Sequence, residues 1–96
     1  MQQMRYFIDT HDKQNGTFPP DITPEALAEF YKQYANACKE EGVISVNIHT
    51  GLEEGRAYCL NIAPNMEAVR KVHEKVGLPY DTITEVKSIS SGDILL

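Results

Sequence analysis

The sequence has few of the features that mark membrane or secreted proteins. No apolar run approaches the ~18–20 residues that a membrane-spanning helix needs, and the polar start MQQMRYF lacks the charged and apolar regions of a signal peptide. The 96 residues include two cysteines, Cys38 and Cys59, so a disulfide framework is not expected. We therefore expect a cytoplasmic protein without a membrane segment.

Basic residues and common catalytic motifs are also scarce. Nine Lys and Arg stand against 14 Asp and Glu, for a net charge of −5, and the basic residues are scattered. Nucleic-acid binding normally requires a basic stripe with interleaved aromatics, so we expect no nucleic-acid partner. The chain lacks a Gly-rich phosphate loop, a G-x-S-x-G elbow, an H-E-x-x-H helix and any C-x-x-C pair. Familiar enzyme classes are thus not indicated.

What the chain does contain is a regular alternation of short strands and two amphipathic helices. Its length and 42% apolar content fit a single globular domain over residues 1–96. Period-2 alternation predicts strands, and apolar residues at 3- and 4-residue steps predict helices. The predicted elements are strands 4–11, 43–50, 56–62 and 81–89, helices 23–42 and 63–77, a loop at 12–21 and a tail at 90–96.

Capping residues define both predicted helices. Thr23 is a favourable N-cap before Pro24, and Gly42 stops the first helix. Asn65 caps the second helix, which ends at Gly77.

The order of elements, βαββαβ, predicts a ferredoxin-like α+β sandwich. In this fold a four-stranded antiparallel sheet carries two helices on one face, with the first and third strands at its centre. A domain of this size buries a limited core, which favours association of two copies. We therefore expect a homodimer, with two sheets enclosing a dimeric α/β barrel.

Side-chain alternation divides the predicted sheet into two faces. The apolar set suits the face under the helices: Tyr6, Ile8, Ile44, Val46, Ile48, Tyr58, Leu60 and Ile62. The opposite face then receives Phe7, Asp9, His11, Ser45, Asn47, His49, Ala57, Cys59 and Asn61. Because this second set mixes apolar and polar types, it predicts a half-buried cavity between two copies.

Several residues of the second set are of metal-ligand type. Thiolate and imidazole suit nickel or zinc, with carboxylate or amide oxygen completing the shell. The candidate ligands on this face are Cys59, His11, His49, Asp9 and Asn61, and Phe7, Ser45, Asn47 and Ala57 would line the cavity. Core packing is the competing interpretation for Cys59, and it is favoured for Cys38 and His73, which lie on the inner stripes of their helices.

The second half of the chain resembles a known family. The resemblance rests on a Tyr-Cys in a strand, an Ala-Pro-Asn turn, a helix with a His, then Gly-x-Pro and Glu-Val: Tyr58, Cys59, Ala63, Pro64, Asn65, His73, Gly77, Pro79, Glu85 and Val86. These residues resemble the DUF4242 family, which includes a nickel-binding protein with a dimeric ferredoxin-like fold. The resemblance implies nickel as the metal, and it matches Cys59 and His73 by position.

Three functions follow as hypotheses. The first is a homodimeric protein that binds nickel or another divalent transition metal, with binding favoured over catalysis. The second is a dimeric α/β-barrel enzyme or binding module that takes a small molecule without metal. The third is an interaction domain whose free sheet face serves only for association.

Overall fold

The computed structural model describes residues 3–87 as a sheet with two covering helices. The elements are β1 (Arg5–Asp12), α1 (Pro24–Glu41), β2 (Ile44–Gly51), β3 (Arg56–Ala63), α2 (Met66–Val76) and β4 (Thr82–Val86), with a short 3-10 turn at Lys13–Asn15. Each predicted element exists with its bounds shifted by a few residues. Residues 88–89 of the predicted last strand and the predicted tail 90–96 lie outside the described residues.

The helix ends are confirmed as predicted. The Thr23 hydroxyl accepts a hydrogen bond from the Ala26 N–H at 3.1 Å, and Asn65 Oδ1 accepts one from the Ala68 N–H at 2.9 Å. Caps of this kind typically stabilise a helix by about 1 kcal/mol. Gly42 ends α1 in the left-handed conformation at φ 71°, which a residue without a Cβ adopts at little cost.

The sheet is antiparallel with the strand order β2-β3-β1-β4. This order places β1 and β3 at the centre, and with the two helices it confirms the ferredoxin-like α+β fold. Asp9 lies near the middle of the sheet, opposite Cys59 on β3 and Ile83 on β4. Within residues 3–87, neither helix combines the length and apolar content that crossing a membrane requires.

The prediction of which sheet face the helices cover is wrong. On β1 and β3 the helix-covered face holds the mixed set, each member at most 4% exposed: Phe7, Asp9, His11, Ala57, Cys59 and Asn61. The other face, called the open face below, carries Tyr6, Ile8, Ile44, Tyr58, Leu60 and Ile62. Ile44 is 56% exposed and Tyr58 is 45% exposed. The faces of β1, of β3 and of the start of β2 are therefore inverted relative to the expectation from hydrophobic alternation, whereas Ile48, Asn47 and His49 lie on the predicted faces.

The inversion has a packing reason. The helices bring the bulk of the core, including Tyr34 from α1 with Val69 and Val72 from α2, all fully buried. A small strand side chain, Ala63, leaves room for these larger groups, since interiors are packed at nearly crystalline density. The polar members of the same face are tolerated there because they bond to one another.

A register shift in β2 adds a second departure from simple alternation. The pairing with β3 slips between Ser45 and Asn47, so one extra residue of β2 is accommodated as a bulge. Ile48 then stands opposite Cys59, on the covered face. Asn47 and His49 consequently fall on the open face, because neighbours along a strand alternate.

Candidate metal centre

One strand and one helix bring a buried group of histidine and carboxylate side chains together. Asp9 and His11 are two residues apart on β1, so both point under the helices. His73 points down from the inner side of α2. The three residues are 0%, 3% and 1% exposed, and one ligand-type atom from each lies within 4.8 Å of the others. We call Asp9, His11 and His73 the His–Asp cluster.

The Asp9 carboxylate is the centre of the cluster. Its Oδ1 lies 2.6 Å from His11 Nε2 and 3.1 Å from His73 Nε2. Its Oδ2 accepts a hydrogen bond from the Asn61 side-chain amide at 2.7 Å, and Asn61 Oδ1 accepts one from the Tyr34 hydroxyl at 2.9 Å. Among residues 3–87, no buried side-chain nitrogen or oxygen lacks a partner. The network is complete, as a buried polar group requires.

The second nitrogen of each imidazole faces the backbone. His11 Nδ1 lies 2.8 Å from the Pro79 carbonyl oxygen and 3.2 Å from that of Thr17. His73 Nδ1 lies 2.8 Å from the Val69 carbonyl oxygen, one turn earlier in α2. A carbonyl oxygen only accepts hydrogen bonds, so each Nδ1 must carry a hydrogen and donate.

These contacts require more hydrogens than two neutral imidazole rings carry. All four ring nitrogens face oxygens that accept, whereas a neutral imidazole carries a single N–H. With both Nδ1 atoms committed as donors, each Nε2 needs either an additional hydrogen or a cation between it and Asp9. Two hydrogens or one divalent cation would satisfy the same atoms.

Electrostatics agree with this geometry. Burial alone would raise the pKa of the Asp9 carboxyl, but the hydrogen bonds and charges of His11 and His73 outweigh it and lower the pKa to about 2. For His11, burial favours the neutral ring, yet the hydrogen bond and charge of Asp9 raise its pKa above the ordinary value of 6.5. The carboxylate therefore stays ionised, and it favours a proton or another cation at His11.

Ring–ring contacts fix the two imidazoles of the cluster. The His11 and His73 rings stack with centroids 5.5 Å apart and planes 20° apart. Tyr80 and Tyr34 meet the His73 ring edge-on at 5.1 and 5.6 Å. The imidazoles are thus held in fixed orientations by contacts on several sides.

The two cysteines differ in surroundings, and both are free and buried. Cys59 shares the covered face with Asp9, and burial together with the charge of Asp9 raises the pKa of its thiol. Cys38 belongs to the core under α1, where burial raises its pKa to about 11. Each thiol is therefore protonated at neutral pH, and Cys38 has the structural role expected of it.

The structure gathers five of the six candidate ligands in one place. Asp9, His11, Cys59 and Asn61 share the covered face, and His73 joins them although its sequence position favoured plain packing. His49 does not join them, because the bulge in β2 turns it to the open face, where it stands opposite Tyr58.

The four residues expected to line a cavity between two copies do not share one surface. Phe7 is in the core, and Ala57 is buried on the covered face. Ser45 lies 3.2 Å from the Tyr31 hydroxyl of α1, from which it accepts a hydrogen bond, so it too is on the helix side. Asn47 is exposed on the open face. The cavity predicted for the free face is thus corrected, because the face assignment on which it depended is inverted.

Sequence reasoning missed Tyr34 and the carbonyl groups. Tyr34 was recognisable as part of the apolar stripe of α1, but periodicity does not show that its hydroxyl reaches Asn61. The carbonyls of Thr17, Val69 and Pro79 have no residue-type signature at all, because every residue carries the same acceptor.

Comparison with known proteins places this arrangement in a family. The model of the SCO4226-like family, described as nickel-responsive proteins, matches residues 7–86, which include the whole His–Asp cluster. The chain belongs to the SCO4226-like family. The crystal structure of SCO4226 from Streptomyces coelicolor A3(2) is similar, with 30% identity, a TM-score of 0.76, and coverage of 88% of this chain and 99% of that one. No functionally curated protein matches the chain.

Membership in the SCO4226-like family agrees with the nickel-related resemblance seen in the sequence. The matched model carries this family name rather than the DUF4242 label, and the two are compatible. The nickel-responsive description and the buried His–Asp cluster point to metal binding.

Proposed function

We propose that this protein binds a divalent transition metal, nickel by preference, through Asp9 and the Nε2 atoms of His11 and His73. The observation that carries the proposal is that all four imidazole nitrogens face acceptor oxygens. A divalent ion would replace two hydrogens at the Nε2 atoms without changing the total charge. Two imidazoles and a carboxylate are ligands that nickel, cobalt, zinc and ferrous iron accept.

The groups around the cluster support the proposal. Metal-bound histidines almost always donate their other ring N–H to a carbonyl or carboxylate, which fixes the tautomer and aims the free nitrogen. His11 and His73 both have this arrangement, through Pro79 and Val69. Asn61 would hold the carboxylate from its other side. Cys59 lies beside the cluster as a neutral thiol, outside the proposed ligand set.

The family description favours nickel over other metals. The usual order of divalent metal affinities also places nickel above cobalt and ferrous iron. Divalent affinities at a nitrogen and oxygen site generally rise from manganese through iron and cobalt to nickel and copper. We therefore expect nickel to bind more tightly than cobalt or ferrous iron.

Isothermal titration calorimetry on untagged protein tests the proposal. We expect wild type to bind nickel with a Kd in the micromolar range or tighter, and His73→Gln and Asp9→Asn to weaken it by about tenfold or more, since a perturbed metal shell typically costs 10- to 100-fold. His49→Gln is the matched control, because it changes the exposed histidine of the open face, and its affinity should equal wild type. Circular dichroism confirms that each variant is folded.

Two results would contradict the proposal. A wild-type protein that takes up no nickel, zinc, copper or cobalt would remove the metal altogether. Equal losses in His49→Gln and His73→Gln would place the metal elsewhere on the chain.

We further propose that the protein is a homodimer that pairs through the open face. Ile44, Tyr6 and Tyr58 are between 41% and 56% exposed there. Contiguous apolar patches on soluble proteins usually mark interaction sites, and a second copy is the simplest partner for a chain of this size. The His–Asp cluster is built within one chain, so dimerisation and metal binding are separable.

A reducing compartment suits this chain, and we propose the cytoplasm as its location. Cys38 and Cys59 are both free thiols, which persist where glutathione and thioredoxin keep cysteines reduced.

A further inference from the structure

We propose that the cavity between α1 and the sheet binds a neutral, mainly apolar small molecule of about two rings. This cavity, called the helix-side cavity, has a volume of about 290 Å³. Its walls are apolar and come from four separate parts of the chain: Phe18, Ile22, Leu27, Phe30, Ile48 and Leu78. The proposal concerns a second ligand and stands independently of metal binding.

The depth of the cavity distinguishes it from a surface groove. Its floor is formed by Ala57, Cys59 and His11, which are at most 4% exposed. Pro19 and Ala26 are exposed and form the rim, at the loop before α1 and at the first turn of that helix. A ligand would enter beside Ala26 and reach the floor next to the His–Asp cluster.

An unfilled apolar cavity of this size is unfavourable in a small domain. Interiors are close-packed, and side chains that line a void lose their dispersion contacts. An engineered cavity of about 150 Å³ in another protein stays dry and binds benzene, so the volume here suits a molecule about twice as large. A ligand that fills the cavity would supply the missing contacts to its walls.

The lining chemistry selects a neutral ligand. Of the eleven residues that form the cavity, none is Asp, Glu, Lys or Arg, and a charge on His11 is paired with the Asp9 carboxylate. Both ring nitrogens of His11 are already bonded, to Asp9 and to Pro79. Cys59 is therefore the remaining polar side chain at the floor, and its sulfur is a weak acceptor. A bicyclic aromatic with one N–H, such as indole, matches this environment, and an anion such as benzoate does not.

Titration of the metal-free protein with indole, followed through ¹³C-labelled methyl groups by NMR, tests the proposal. We expect saturable shifts at Ile22, Leu27, Ile48 and Leu78, with no saturable response to benzoate. Shifts confined to Ile44 and Leu60 would place indole on the open face, and that result, or no saturation at millimolar indole, would overturn the proposal.

A filling variant gives a second test. Ala57→Leu should fill the floor and weaken indole binding at least tenfold while remaining as stable to heat as wild type. Ala63→Leu, on the same face of β3 but in the close-packed core, should lower the melting temperature, because no space awaits the larger side chain. If Ala57→Leu binds indole as wild type does, the cavity is not the site.

Two further variants distinguish indole binding in the cavity from binding elsewhere on α1 and from metal binding at the His–Asp cluster. Ala28→Leu, two positions along α1 from Ala26 and outside the cavity lining, should bind indole like wild type. His73→Gln should weaken nickel binding and leave indole binding unchanged, so failure of the metal proposal and failure of this one give different results.

Discussion

Asn61 holds the Asp9 carboxylate on the side opposite the two histidines. Replacing it with alanine would leave Asp9 Oδ2 and the Tyr34 hydroxyl without partners in a buried site. Each orphaned buried polar group costs about 1–3 kcal/mol. We therefore expect Asn61→Ala to lower the free energy of unfolding by about 2–6 kcal/mol in urea titrations.

Asn47→Ala is the control for this measurement. Asn47 is exposed on the open face, so its replacement should cost less than about 0.5 kcal/mol. Similar losses at the two positions would mean that the network contributes nothing beyond ordinary surface contacts.

The charge pair of Asp9 and His11 makes the metal-free protein sensitive to pH. The pKa of His11 is raised above 6.5 in the folded state, so its contribution is complete below pH 6.5 and is lost as pH rises through the folded value. The pKa of Asp9 is lowered from 3.8 to about 2, so its contribution is present above pH 3.8 and is lost as pH falls towards 2. We therefore expect these two groups to stabilise the protein most between pH 3.8 and 6.5.

Urea unfolding midpoints at about pH 5.5 and about pH 8.5 measure the stability that is lost as His11 gives up its proton. The midpoint of wild type should fall between these values, and His11→Gln should show a smaller fall because the titrating ring is gone. An identical fall in both proteins would assign the pH dependence to other groups.

At the scale of single residues, sequence reasoning found part of the site. Period-2 alternation correctly put Asp9, His11, Cys59 and Asn61 on one face, because that relation depends on strand geometry alone. It could not assign His73, since a histidine on the inner stripe of a helix looks the same whether it packs or binds. The partner of a buried polar atom depends on tertiary structure.

At the scale of elements, the order and boundaries of the helices and strands were predictable from the sequence. Which face of the sheet the helices cover was not. Thr23, Gly42 and Asn65 act locally, so their roles were readable from type and position. The larger apolar residues of β3, Tyr58, Leu60 and Ile62, lie on the open face, so hydrophobic alternation pointed to the wrong face. The bulge in β2 was also hidden, because VISVNIHT alternates without interruption.

The corrected faces make a direct prediction for the β2–β3 hairpin. Ala63→Asp would bury an unpaired charge at a fully buried position and should abolish the folded far-ultraviolet circular dichroism spectrum. Ile44→Asp places the same charge on the open face and should leave the spectrum folded. A folded Ala63→Asp together with an unfolded Ile44→Asp would restore the original face assignment.

At the scale of the whole molecule, the open face should control association. We expect wild type to sediment as a dimer at micromolar concentration and Ile44→Asp to sediment as a folded monomer, because a charge within an apolar interface is unfavourable. The monomer should still bind nickel, since the proposed ligands come from one chain.

Lys71→Asp is the control for the sedimentation experiment. Lys71 lies on the exposed side of α2, away from the open face, so this variant should remain a dimer. A monomeric wild type, or dissociation of both variants, would exclude the open face as the interface.

If hydrogens occupy the Nε2 atoms of the metal-free protein, their displacement has a calorimetric consequence. A metal ion that takes their place must release as many as two protons to the solvent, where the buffer absorbs them. The observed binding enthalpy should therefore change linearly with the ionisation enthalpy of the buffer, and the slope counts the protons set free. The same titration repeated in phosphate-free buffers of different ionisation enthalpy would thus count how many ring hydrogens the metal displaces.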